Sequence, residues 1–364
     1  MQMQPVSTRF RQINRGLAGA VLALLALAML ALLAASFGGT DPTPAATVDS
    51  GDLALYTRIV DRLREGQDYY TAAHIELRAG HYPTLSVFNW RTPLLLSLVS
   101  LAPFTAWAQT VLTALAAAAA ALGLVLVYRQ GNWILAGAAI PLLIVSLATA
   151  VVPGTVYFGE IVAGILILGS CCCYGAKLWL PGVLLALLAL FIRELAAPYV
   201  MICLALALLQ GRRIEASLTL LGLLAYSVYY LLHAHAVGAL LGPSDFSDPG
   251  GGWIALGGLD FVVKTAAFDG MLILVPLWVS ALVLPIAVLG LCAFPAGLRM
   301  ALVVLIYAVL FTIAGKPFDV YWGGMYTPLL AFGLVWAPLA IRDLVLAARP
   351  IRFRLLPSDG ADSL

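Results

Sequence analysis

Residues 17–37 contain no charged side chain, and runs of this kind return along almost the whole chain. A helix needs about 17 to 25 predominantly apolar residues to cross a bilayer. Stretches of that length or near it lie at 17–37, 106–127, 134–152, 214–239, 271–294, 298–314 and 325–341, with shorter ones at 161–174, 180–192 and 195–209. Such a chain is expected to fold as an all-α, polytopic transmembrane helical bundle. About ten crossings are predicted, with a range up to twelve, the exact number being left open around 93–128 and 180–210. Composition agrees, at 62% hydrophobic and 10% charged, where a soluble protein carries about 25% charged residues. The apolar core of 17–37 is too long for a signal peptide and counts as the first crossing. One domain is expected over 1–345, with a first outer loop at 38–92 and a cytoplasmic tail at 346–364.

Charge sets the orientation. With the amino terminus in the cytoplasm, the inner side receives twelve of the twenty Lys and Arg residues and only four acids, Glu215, Asp343, Asp359 and Asp362. The outer side receives the other eight bases and fourteen acids. This is the positive-inside pattern, so both termini are expected in the cytoplasm. The Ala- and Leu-rich, Arg-over-Lys composition points to a bacterial inner (cytoplasmic) membrane, with the polar junctions facing the periplasm. Membrane lipids are the first expected partners. Nothing suggests nucleic acid, a nucleotide-binding loop or a soluble cofactor.

The first outer loop gathers Asp49, Asp52, Asp61, Glu65, Asp68 and Glu76 with five arginines and two of the four histidines. Leu55, Ile59, Val60 and Leu63 fall on one face of a helix over 53–65, opposite Arg58, Asp61, Arg62 and Glu65, and Gly66 ends it. A second short helix is expected over 70–79, ended by Gly80. Helices of this type lie in the membrane interface. Pro103 divides the long apolar stretch that follows. The other outer junctions carry Glu160, the Arg193-Glu194 pair, Asp245 with Asp248, and Lys316 with Asp319. The run 180–192 is too short to cross comfortably, which places Arg193 and Glu194 below the outer surface. There they either line a cavity or pair with each other and with Glu160 to hold the bundle. A weakly amphipathic segment at 253–268 is expected along the surface, and Pro276 and Pro285 are expected to kink the crossing at 271–294.

Carboxylates beside arginines at one end of a bundle suit one-sided chemistry. An acid takes a proton from an attacking hydroxyl while Arg or Lys neutralises a phosphate leaving group, and arginine matches phosphate geometry. A transporter or flippase of a lipid-linked or small anionic substrate is the alternative. It would show polar residues along a through-going path and internal repeats, and no repeat is evident. A non-catalytic assembly protein would show an apolar outer cleft. Plainer roles also exist for single residues. Asp52 sits where a cap for a helix beginning at Leu53 would sit, Arg91 where an arginine anchors a helix start, and Lys316 within reach of Asp319. The adjacent Cys171, Cys172 and Cys173 point in different directions on a helix and are packing residues. His74 and His81 lack a third ligand at fixed spacing, so no metal site is predicted, although a divalent cation stays open.

The order of features resembles the GT-C superfamily, polytopic glycosyltransferases that take sugar from a polyprenyl-phosphate carrier. In many bacterial members a first span leads to an outer loop reading roughly D-x-x-x-Y, a short helix, L-x-x-G-x-D-x-Y, and a Pro-containing entry to the next span. Here Asp52 and Tyr56 match, then Leu63, Gly66, Asp68 and Tyr70, then Tyr82-Pro83 and Pro93-Leu94. The resemblance implies a GT-C-like fold and an inverting transfer from a polyprenyl-phosphate-sugar donor to a lipid or glycan acceptor at the outer face of the membrane. Asp52 takes the family's catalytic acid position, with Asp68 and Asp49 as the other candidates. Arg91, Arg193 and Lys316 would hold the carrier phosphate. Glu160, Glu194 and Asp319 would orient those cations or bind sugar hydroxyls. Tyr69, Tyr70, Trp90, Tyr321 and Trp322 would stack on a sugar or form an interfacial belt.

Overall fold

Among the residues that the computed structural model describes, 6–38, 51–247 and 256–349, the chain is all-α and contains no strand. It opens with α1 (Arg15–Gly38). Two short helices follow, α2 (Asp52–Arg64) and α3 (Tyr69–Ala79), and then α4 (Pro93–Leu101), α5 (Thr105–Gln130) and α6 (Trp133–Ser146). The bundle continues through α7 (Gly159–Gly175), α8 (Trp179–Ile192), α9 (Ala197–Leu209), α10 (Arg213–Leu240) and α11 (Gly258–Ala266). It closes with α12 (Leu277–Ala293), α13 (Leu298–Ile313) and α14 (Leu330–Ala348). Five elements are long and apolar enough to cross a membrane: α1, α5, α6 with the turn extending it to Val151, α10, and α14 with its lead-in from Thr327. Helices α7, α8, α9, α12 and α13 are shorter and apolar.

Burial sorts these helices into a centre and a rim. Every residue of α7 from Glu160 through Cys173 is buried. On the rim, α1 buries only Ala18 and Leu32, and α10 turns Leu221, Leu224, Leu231 and Leu232 outward. An apolar exterior of this extent has no place in water and suits hydrocarbon. Small residues decide how closely the centre packs. A Cβ at Gly290 of α12 would lie 1.8 Å from the Gly333 carbonyl oxygen of α14, and a Cβ at Gly164 of α7 would lie 1.8 Å from that of Gly324. Backbone meets backbone at both places, as small residues permit between membrane helices. The second contact seats the 3₁₀ turn Val320–Met325 against α7 and so fixes where Tyr321 stands.

Most boundaries follow their local signals. Pro93 opens α4, and the break at Pro103 separates α4 from α5. Gly80 ends α3 as its C-cap, as expected. A Cβ there would lie 2.8 Å from the ring of Tyr82, which folds back over the helix end, and the left-handed residue is the next one, His81, with φ 55°. Three expectations change. The segment expected along the surface contains α11, whose Phe261, Val262, Val263, Thr265 and Ala266 are buried. Its apolar stripe packs against α1, α12 and α13. Pro276 kinks no helix: it stands at the cap of α12, and Pro285 alone lies inside. Of the tail expected at 346–364, residues 346–348 belong to α14, and 350–364 lie outside the described residues.

The two ends of the bundle differ. At one end the start of the described chain is bound to α14: Thr8 donates its N–H and hydroxyl to Asp343 at 2.6 and 3.0 Å, and Arg342 donates to the Val6 carbonyl at 2.7 Å. The turns after α5, α7, α9 and α12 lie at this end. The opposite end carries α2, α3 and the turns after α6, α8, α10 and α13.

Candidate functional site

A cavity of about 440 Å³ lies at that opposite end. Four stretches of chain line it: Asp52, Leu55 and Tyr56 of α2; Tyr82, Pro83, Ser86, Asn89 and Arg91 from the approach to α4; Ser247 after α10; and Lys316, Phe318, Asp319 and Tyr321 after α13.

Asp52 is held by tyrosines from two of those stretches. Gly51 occupies the cap position of α2 with φ 91°, so Asp52 is the first helical residue and not the cap. Its Oδ1 accepts from the Tyr82 hydroxyl at 3.2 Å, and its Oδ2 from the Tyr321 hydroxyl at 3.0 Å. The first turn of a helix favours a negative charge.

Arg91 faces the same cavity. Its Nε donates to the Tyr56 hydroxyl at 2.8 Å and its Nη2 to the Tyr321 hydroxyl at 3.2 Å. Its Nη1 is buried without a hydrogen-bond partner. Behind it stands Glu160, whose Oε1 lies 3.6 Å from Arg91 Nη2 and 2.8 Å from Arg193 Nε. The closer contact is an ion pair off the hydrogen-bond direction. Arg193 pairs on its other side with Glu194. Two guanidiniums and two carboxylates thus cancel in charge, with Arg91 at the cavity wall and Arg193 enclosed.

Asp319 is the second acid of the cavity. Burial pushes its carboxyl up to about 6, against the opposing pull of Arg91. Its Oδ1 lies 3.4 Å from the Tyr321 hydroxyl, and its Oδ2 has no hydrogen-bond partner. One phenol proton cannot serve two carboxylates at once, and the shorter distance assigns it to Asp52. The Lys316 ammonium lies 5.8 Å from the centre of the Phe318 ring.

A second polar cluster ties α3 and the segment before α4 to the turn after α10. Asp245, after α10, accepts from Thr84 Oγ1 at 2.7 Å and from the Gly242 N–H at 2.7 Å, and shares a 2.9 Å hydrogen bond with His74 Nε2. Burial would raise the Asp245 carboxyl, but these partners hold it at about 2. Glu76 behaves alike. Burial opposes its charge, yet Arg62 at 2.5 Å and Arg58 at 2.7 Å keep it below its ordinary range and join α2 to α3.

Of the residues singled out from the sequence, Asp52, Arg91, Lys316, Asp319 and Tyr321 meet at the cavity. Glu160, Arg193 and Glu194 form the ion network behind it. Asp68 is not among the lining residues; it caps α3 by accepting from the Thr71 N–H at 3.0 Å. Tyr70 shares a 3.3 Å hydrogen bond with His233. Trp90 is buried, donates to the Thr84 carbonyl at 2.8 Å and stacks on His74. Trp322 packs between Phe261 and Phe311. Asp49 and Asp248 lie outside the described residues. The cysteines are free, with Cys171, Cys172 and Cys173 buried in α7. Among the described residues no group of three or more His, Cys, Asp or Glu is placed to hold a metal ion. Sequence reasoning missed the hydroxyl of Tyr82 as a carboxylate partner, and Ser86, Asn89 and Ser247 as lining residues. No local pattern marks them, since their roles arise only when distant segments meet.

The fold and its apolar rim define a multi-span, all-α membrane protein. No protein-family model matches the chain, nor does any curated protein or solved structure.

Proposed function

We propose that this protein is a GT-C-type glycosyltransferase that moves a sugar from a polyprenyl-phosphate carrier to a lipid or glycan acceptor at the outer face of a bacterial inner membrane. The observation that carries this reading is the cavity uniting Asp52, Arg91, Lys316 and Asp319 from distant parts of the chain. In it, Asp52 takes the proton of the acceptor hydroxyl as that oxygen attacks the anomeric carbon. The bond from that carbon to the carrier phosphate breaks, the configuration inverts, and the phosphate leaves with the electron pair. Arg91 and Lys316, both lining the cavity, neutralise the departing phosphate. Arg193, enclosed by two carboxylates, acts by fixing Glu160 and through it Arg91. Tyr321 joins the acid to Arg91.

Ten crossings with both termini in the cytoplasm fit this arrangement. Helix α8, of 14 residues, rises ~21 Å against a hydrocarbon core of about 30 Å, which sets Arg193 below the outer boundary. One-sided chemistry is favoured over transport because α7 has Ser170 as its one polar side chain between Glu160 and Cys173, and that hydroxyl is bound to the Gly182 carbonyl at 2.5 Å.

The test is transfer by purified protein from a panel of radiolabelled polyprenyl-phosphate sugars, beside Asp52→Asn. Loss of the base is expected to slow turnover by about 10²–10⁴-fold with the fold retained by circular dichroism. Full turnover in that variant would remove Asp52 from the chemistry. Binding of every donor without consumption of any would turn the reading toward a flippase.

A further inference from the structure

The far end of the bundle holds a second polar cavity, of about 300 Å³, that the proposed reaction does not use. It lies where the turns after α5, α7, α9 and α12 converge. Lys177, Arg212 and Arg299 line it with Gln130 and Tyr174, and no carboxylate is among its lining residues.

Arg299 distinguishes this cavity from an ordinary basic surface. It is only 8% exposed, and arginines are almost never that buried without a paired charge. Its guanidinium instead lies 3.6 Å from the centre of the Tyr174 ring. That stack covers a face of the group and leaves its edge, where Nη1 has no hydrogen-bond partner. The stack is built in: a Cβ at Gly182 would lie 2.8 Å from the Tyr174 ring, so the glycine makes room for it. The nearby acid, Glu215, is turned to Arg212 at 3.3 Å and lines the adjoining cavity with Arg213. One carboxylate therefore stands against Lys177, Arg212, Arg213 and Arg299. Leu206, Pro295 and Leu298 form the apolar side of the pocket.

We infer that this cavity binds a phosphate-bearing anion, supplied by the headgroup of an anionic lipid in the leaflet on this side. The in-plane N–H groups of a guanidinium fit phosphate oxygens, and basic pockets between membrane helices are where anionic headgroups lodge. Arg299 lines the cavity and its guanidinium has a hydrogen-bond donor, Nη1, left without a partner, which a phosphate oxygen would satisfy once the side chain turns toward it. The apolar wall suits the glycerol and first methylenes of the lipid. This site is independent of the reaction at the other end. Free phosphate offers the same oxygens, so the experiment separates the two sources.

The full-length protein is placed in nanodiscs of phosphatidylcholine with a minor fraction of phosphatidylglycerol and released for native mass spectrometry. Retention of one phosphatidylglycerol in preference to phosphatidylcholine is expected, with its loss in Arg299→Gln. Removing the exposed charges in Lys177→Gln/Arg212→Gln should weaken retention about fivefold per charge, and that pair decides the matter if Arg299→Gln does not fold. Retention that survives a large excess of inorganic phosphate supports the lipid. Displacement by phosphate, with phosphate alone raising the unfolding temperature of the wild type and not of the variant, keeps the anion site and overturns the lipid as its occupant. Equal retention of the two lipids with no effect of phosphate overturns the proposal, as does wild-type retention in a folded Arg299→Gln.

Discussion

Replacing Arg193 by Met removes the central cation of a buried quartet, and the cost can be worked from its distances. The 2.8 Å contact to Glu160 corresponds to ~6 kcal/mol of attraction at an effective dielectric of ~20, and the 3.6 Å contact from Arg91 to ~5 kcal/mol. Desolvating each ion costs several kcal/mol, so the intact quartet contributes little net stability. Its incomplete forms are a different matter. Arg193→Met leaves Glu160 and Glu194 facing Arg91 alone, an uncompensated negative charge in a site where the Glu160 side chain is 1% exposed. A loss of about 3–5 kcal/mol is expected. Adding Glu160→Gln removes the surplus charge and should return about 1–3 kcal/mol of that loss, although Glu160→Gln alone also destabilises. The assay is unfolding in detergent, followed by helicity, for the wild type, both single variants and the double. A double variant whose cost equals the sum of the singles would refute the reasoning, because it would mean the charges do not share one buried network.

Two further outcomes test the same end of the molecule. Asp319 titrates near 3.9 in an unfolded chain and at about 6 in the fold; folding favours its neutral form, so its cost is absent below about pH 4, grows as pH rises and is complete above about 6. Asp319→Asn should therefore be more stable than the wild type by roughly 1–3 kcal/mol at high pH, with the gap closing toward pH 4, and a gap independent of pH in unfolding titrations would contradict this. Gly164→Ala drives a methyl into the Gly324 carbonyl, should cost about 1–3 kcal/mol, and displaces the turn that carries Tyr321. Gly137→Ala in α6, where a Cβ meets nothing within 4 Å, is the control, and equal behaviour of the two in thermal unfolding would show that the close approach is not real.

Helices were legible here because a bilayer demands long apolar runs, and prolines and glycines punctuate them. Which helix stands inside was not. Helices α1 and α7 are both apolar throughout, yet one buries two residues and the other nearly all of its length. Small residues do not separate them, since α1 is rich in Ala and α7 in Gly and Cys. What differs is the partners that the rest of the chain brings to each, such as the turn whose Gly324 meets Gly164. Helix α11 was misplaced on the surface because a short amphipathic segment has the same pattern whether its apolar stripe meets lipid or protein.

The site divides along a similar line. Asp52 was singled out because its motif is local, but the hydroxyls that bind it come from Tyr82 and from Tyr321, 269 positions away, and no periodicity links those residues. Arg91, Arg193 and Arg299 illustrate what a sequence withholds. Each is a lone arginine beside an apolar run, and each is a reasonable candidate for holding a phosphate. What separates them is how much of their capacity the fold leaves unfilled. Arg193 is flanked by Glu160 and Glu194 and can offer a ligand little. Arg91 lines a cavity, gives two nitrogens to tyrosines and has a buried Nη1 without a hydrogen-bond partner. Arg299 has an aromatic ring where a carboxylate would be expected and also has a buried Nη1 without a hydrogen-bond partner. A buried cation with an unused donor is costly to maintain in an apolar bundle, and that cost is offset when an anion arrives. The two arginines whose capacity is incomplete stand at opposite ends of the chain's bundle, each beside a polar cavity. Their charges differ. Arg91 stands in a quartet with Glu160, Arg193 and Glu194 that is already neutral, whereas among the described residues no carboxylate is paired with Arg299. That is why the proposed anion matters more for the burial of Arg299 than for that of Arg91.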